Sequence, residues 1–152
     1  TMNGGNMTDT KKSSSLEQQM AEDEIFCMVE DWLGYKVSRN PKIKMNNNDK
    51  VHIEPDFYSE EHSIIGEIFA HIGGNKRAND ILKMLLIEKD RCKSYRKIIV
   101  VCDEQEERTL SGKSALAESI RQFGIELKRV EISNELRETI LSAQNRQVMI
   151  NG

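Results

Sequence analysis

The sequence predicts an α/β fold built on a mixed sheet, in the order α-β-β-β-α-β-α-β-α. Three observations carry this. Lys97-Ile98-Ile99-Val100-Val101-Cys102 is a continuous, mostly β-branched run of the kind that forms a strand buried on both faces. Two further β-rich runs, 50–57 and 62–70, flank the short polar link Tyr58-Ser59-Glu60-Glu61 and read as an antiparallel hairpin. Helical periodicities surround these runs, so antiparallel pairing comes first and crossover connections follow.

The elements follow in order. Residues 1–15 hold little apolar matter to offset the entropy of ordering and read as a disordered tail or an expression remnant. Residues 16–152 read as a single domain. From Ser15, a plausible N-cap, Met20, Ile25, Met28, Val29, Trp32 and Leu33 recur at helical spacing up to Gly34. The basic stretch 35–45 is broken at Asn40-Pro41, which limits it to an edge or irregular strand, and Asn46-Asn47-Asn48-Asp49 is a turn. After the hairpin, a helix opening at Asn75 or Asn79 gathers Ala78, Ile81, Leu82, Leu85 and Leu86 on one stripe. Beyond the buried strand, 103–110 reads as a polar loop, 113–123 as a helix stopped by Gly124, 125–132 as a strand, and 134–148 as the last helix.

With 152 residues, 38% of them apolar, the chain buries enough surface to fold without a structural metal or disulfides. The sum of 22 Lys and Arg against 25 Asp and Glu excludes a wholly basic histone-like protein and a polyacidic tail. That near-neutral sum conceals blocks: 36–50 holds five basic groups and one acid, 51–75 five acids and no basic group, and 76–97 eight basic groups and three acids. No apolar run is long enough for a membrane span and no signal-peptide pattern opens the chain, so the expected location is cytoplasmic. Cys27, Cys92 and Cys102 are odd in number and far apart, which predicts reduced, mostly buried thiols.

Two acids stand at telling places. Pro55-Asp56 ends one strand of the hairpin, and Glu67 lies inside the next, in Gly66-Glu67-Ile68-Phe69. Paired strands are about 5 Å apart, so an Asp and a Glu on neighbours can share a hard cation that also keeps waters. An unpaired carboxylate in so apolar a strand would cost several kcal/mol, although an acid in a strand is more often solvated or paired across the sheet.

With these acids in this order of elements, the chain resembles the PD-(D/E)xK nuclease superfamily, which includes restriction endonucleases and Holliday-junction resolvases. The likeness spans most of the chain after residue 15. It implies a three-layer restriction-endonuclease-like fold and an endonuclease that hydrolyses phosphodiester bonds in duplex or branched DNA with Mg²⁺ or Mn²⁺. It also implies Asp56 and Glu67 as metal ligands, joined by an acid of the first helix: Glu24 fits the spacing best, with Asp23 and Glu30 as rivals.

The chain departs from that pattern at Phe69, where the family carries the motif lysine. Strand alternation puts Glu67, Phe69 and His71 on one face, making His71 the next polar group there. Lys76, slightly ahead of Lys83, is the expected replacement for the lysine, with His71 contacting phosphate. The basic segments 36–50 and 76–97 are the expected DNA contacts, and cutting both strands of a duplex implies a homodimer. The alternative is a catalytically degenerate module of the same fold that binds nucleic acid or a partner protein without cutting.

Two weaker signals read as structural. Ser111-Gly112-Lys113-Ser114 follows a strand like a phosphate-binding loop, but Glu107 stands where the first glycine of that loop belongs, so it reads as a helix start. His52 and His62 read as surface or pairing residues.

Overall fold

The computed structural model describes residues 2–70 and 77–151. The chain forms two compact units, one of residues 1–33 with 131–152 and one of residues 34–130. The first pairs α1 (Met2–Leu33) with α5 (Asn134–Asn151), and Ala21, Ile25 and Val29 of α1 and Leu136 and Ile140 of α5 are buried. Helix α1 starts well before Ser15, which lies inside it and does not cap it. Propagating an existing helix gains a backbone bond for each residue fixed, so polar composition alone does not stop it.

The second unit carries the sheet. Its strands are β1 (Ser38–Arg39), β2 (Ile43–Lys44), β3 (His52–Ile53), β4 (Phe57–Ser59), β5 (Ile64–Phe69), β6 (Arg96–Val101) and β7 (Ile125–Arg129). Five of them form a mixed sheet in the order β1-β4-β5-β6-β7, antiparallel from β1 to β5 and parallel from β5 to β7. This is the α/β class the sequence predicts. The strand at 96–101 is central and buried beyond its first residue, as its β-branched run requires.

The hairpin partner of β5 is shorter than expected. The run 50–57 divides at Glu54-Pro55, since proline cannot donate to a ladder. Its first part, β3, pairs with β2 in a separate two-stranded ribbon, and the strand that pairs antiparallel with β5 is β4, which takes only Phe57 from that run and adds Tyr58 and Ser59 of the expected link. The expected polar loop at 103–110 contains helix α3 (Glu104–Leu110), whose first N–H groups, on Gln105 and Glu106, donate to the Asp103 carboxylate. Three acids in its first turn complement the helix dipole.

Helix α2 (Arg77–Arg91) packs Ile81, Met84 and Ile87 on the sheet face formed by Ile65, Phe69, Ile99 and Val101. On the opposite face, the Phe57 ring lies across Gly66, and a Cβ added to Gly66 would stand 1.9 Å from Phe57 Cζ. Only glycine fits there. Helix α4 (Ala115–Gln122) starts where Ser111-Gly112-Lys113-Ser114 predicts: Ser114 Oγ accepts from Ala117 N at 3.1 Å. The carbonyls of Ser111 and Gly112 accept from the Arg121 guanidinium, so this loop turns oxygens, not N–H groups, toward a cation. Gly124 follows α4 at φ +63°, the left-handed conformation a helix stop favours.

Cys102 is buried, but Cys27 and Cys92 are exposed, contrary to the expectation of mostly buried thiols; none of the three is in a disulfide. Cys27 falls on the outer side of α1 and Cys92 at the end of α2, where the chain turns. No helix of the described residues is long and apolar enough to cross a membrane.

Candidate active site

The antiparallel register brings the two acids together. Phe57 lies opposite Gly66, so one step further along the pair Asp56 stands opposite Glu67. Directly opposed residues have Cβ atoms about 5 Å apart. Asp56 is fixed at both ends. Its Oδ2 accepts from Ile68 N at 2.6 Å, extending the ladder with a side chain where β4 has ended, and its carbonyl accepts from Asn40 N at 2.9 Å.

Glu67 sits in the interior of the sheet with 0% exposure. Its Oε1 lies 2.8 Å from Lys83 Nζ, an ion pair reaching up from α2. Its other hydrogen-bonding neighbour is the Asp56 carboxyl across the strand pair. A divalent cation shared by the two acids would take the place of the proton between them.

Lys83 is held from three sides: by Glu67, by Asp80 Oδ1 at 3.3 Å one helical turn before it, and by the Glu54 carbonyl, to which it donates at 3.2 Å. Burial works against its ammonium, but Glu67 and Asp80 outweigh this and its pKa is raised. The Glu67 carboxyl is pushed up to about 9, first by burial and then by the Asp56 charge beside it.

A pH dependence follows. An unfolded glutamate titrates near 4.5, so between about pH 4.5 and 9 the folded metal-free protein binds more protons than the unfolded chain. Its stability is fully present below this window and is lost as pH rises through it, by on the order of a few kcal/mol. Melting temperatures recorded without divalent metal should fall from pH 5 to 9 in the wild type. In Glu67→Gln they should stay much flatter; a wild-type profile as flat as that of the variant contradicts the assignment.

The residues named from the sequence divide clearly. Asp56 and Glu67 come together as expected, and Lys83, the second choice for the lysine, is the one at Glu67. Phe69, at the position of the motif lysine, is buried among the apolar residues between β5 and α2. His71 and Lys76 lie outside the described residues. Glu24 is exposed on α1 with Asp23 and Glu30 half-buried nearby in sequence, and α1 belongs to the other unit. His62 stacks on Tyr35, ring centroids 3.7 Å apart, and His52 is exposed on β3.

Asp80 and the Glu54 carbonyl escaped the sequence reading. The signal for Asp80 was its i,i+3 spacing from Lys83; a backbone carbonyl gives none.

The arrangement is two adjacent carboxylates, one buried and one anchored by a backbone N–H, with an ammonium at their edge. Among the described residues no three carboxylate, imidazole or thiol groups form a complete metal cage. A hard cation of the Mg²⁺ type needs only one or two carboxylates, filling its other positions with water and phosphate oxygens. The adjacent carboxyls of Glu67 and Asp56 fit that requirement. Comparison with protein-family models, with curated proteins and with solved structures found no match to this chain.

Proposed function

We propose that this protein is a Mg²⁺- or Mn²⁺-dependent endonuclease of the restriction-endonuclease-like fold that hydrolyses phosphodiester bonds in DNA. One observation carries the reading: a buried glutamate, an opposed aspartate and a lysine converge on one spot of the sheet. Asp56 and Glu67 would hold the metal. When bound, the metal supplies Lewis-acid charge to the phosphodiester and acidifies a water.

The chain's own residues do the rest. Lys83 takes the role that Phe69 cannot, placing a positive charge at the edge of the acids where negative charge develops on the phosphate. Asp80 and the Glu54 carbonyl orient its ammonium. Phe69 and the core around it keep water from the buried side of Glu67. Cleavage of both strands by a chain with one such site would need a homodimer.

One observation favours a second reading, a module of the same fold that binds nucleic acid or a partner without cutting. Lys83 Nζ already lies against Glu67 Oε1, a buried contact that serves equally to support the fold.

Incubation of supercoiled plasmid and of a branched duplex with the protein separates the two. The endonuclease nicks at least one of them with Mg²⁺ and not with EDTA, and Glu67→Gln lowers the rate by about 10²-fold or more. Binding of both DNAs without nicking, with either metal, leaves only the second reading.

A further inference from the structure

The expected DNA-binding surface is narrowed by the ion pairs. Of the eight basic groups in 76–97, six are committed to acids: Arg77 to Glu106, Lys83 to Glu67, Arg91 to Asp90, Lys93 to Glu60, Arg96 to Glu126 and Lys97 to Glu88. Such groups are poor phosphate ligands, since each contact would first strip a carboxylate of its partner. In the β2–β3 ribbon the situation is reversed. Lys42, Lys44 and Lys50 are exposed, and no ion pair holds them among the described residues.

The ribbon is also a built element. Two strands of two residues are not stable alone in water. Here Ile43, Met45 and Ile53 are buried, and the turn is clamped to the end of α2. The Asp90 carboxylate accepts from Asn46 N at 2.8 Å and from Asn47 N at 3.0 Å. Arg91 pairs with that carboxylate and donates to the Lys44 carbonyl at 3.1 Å. The two backbone N–H groups hold the Asp90 carboxyl below its usual range. At its other end the ribbon runs through Glu54, whose carbonyl accepts from Lys83, into Asp56. The same helix thus fixes the ribbon at its tip and at the acids.

Resting on the nuclease reading of the Asp56–Glu67 site, we propose that the β2–β3 ribbon is the duplex-DNA-binding element: Lys42 and Lys44 contact backbone phosphates and set the register of the strand against that site. A two-stranded ribbon is narrow enough to enter a major groove, and its charge opposes that of the phosphates it would meet. Lysines bound to phosphate release counterions, so they contribute to the salt dependence of binding as well as to affinity.

The test compares two double variants of the full chain by fluorescence anisotropy on a labelled DNA duplex, with Ca²⁺ in place of Mg²⁺, across a salt series. Lys42→Ala/Lys44→Ala should weaken binding roughly ten-fold and reduce the slope of log affinity against log salt by about two. Lys89→Ala/Lys113→Ala removes the same charge elsewhere and should change neither. Because all four side chains are exposed, melting curves should confirm that both variants remain folded. Equal binding by wild type and Lys42→Ala/Lys44→Ala, or an equal loss in both double variants, overturns the ribbon while leaving a plasmid-nicking wild type intact as a nuclease. A wild type that neither binds the duplex nor nicks plasmid overturns the function and the ribbon together.

Discussion

Replacing Lys83 with Met should lower Mg²⁺-dependent plasmid nicking by about 10³-fold, the scale of losing one preorganised charge that acts in the transition state. DNA affinity should change little, because Lys83 is only about one quarter exposed and its ammonium is turned to Glu67, Asp80 and the Glu54 carbonyl. The fold should survive. Methionine fills the space of the lysine stem, and Glu67, with its carboxyl pushed up to about 9, stays neutral at pH 7 by keeping its proton. Lys83→Arg keeps the charge but not its compact shape and should restore only part of the rate. Nicking by Lys83→Met at the wild-type rate contradicts the assignment of this lysine.

The largest effect on stability is expected at Gly66. A Cβ there would lie 1.9 Å from Phe57 Cζ and within 2.3 Å of both Cε atoms, distances no folded structure tolerates. Phe57 is 0% exposed and its ring cannot swing into solvent. Gly66→Ala should therefore cost about 3 kcal/mol or more, at the upper end of overpacking in a core, read as a shift of the urea midpoint. Adding Phe57→Leu to Gly66→Ala should recover part of that loss, a coupling that isolates the ring-on-glycine contact. Activity should fall as well, since the two residues adjoin Asp56 and Glu67 in sequence and set the register that opposes them. A Gly66→Ala protein within about 0.5 kcal/mol of wild type would contradict the packing described.

Much of this was legible in the residues. The β-branched run at 97–102 announced a buried inner strand, and the neighbouring β-rich runs announced the hairpin that opposes Asp56 and Glu67, although Tyr58 and Ser59 of the expected link belong to its strand. Where the pattern was short, it misled. Strands of two residues carry no periodicity, so β3 was read as part of the hairpin strand 50–57 and β2 as an irregular edge, and the ribbon emerged from backbone bonds to Asp90, 43 residues or more away in sequence. Helix α3 was hidden by its charge: Asp103, Glu104, Glu106 and Glu107 look like a solvated loop, although an N-cap followed by acids in the first turn is also a helix start.

The lysine shows the limit most clearly. Phe69 told the sequence reader that the motif position was empty, but not which lysine of the following helix reaches Glu67. That depends on the rotation of α2, which Ile81, Met84 and Ile87 fix by burying their side of the helix on the sheet. With those three packed inward, Lys83 falls at the border of the buried stripe, where a long stem can run along apolar surface to a buried acid.

The central claim is that Asp56 and Glu67 together hold a divalent cation. Titration calorimetry of Mn²⁺ into the metal-free protein at pH 8 tests it without requiring any substrate. The wild type should bind, and Asp56→Asn, with its backbone contacts to Ile68 and Asn40 kept, should bind at least ten-fold more weakly, on the scale seen when one charged ligand is lost. Absence of binding by the wild type, or equal binding by Asp56→Asn, would contradict the claim.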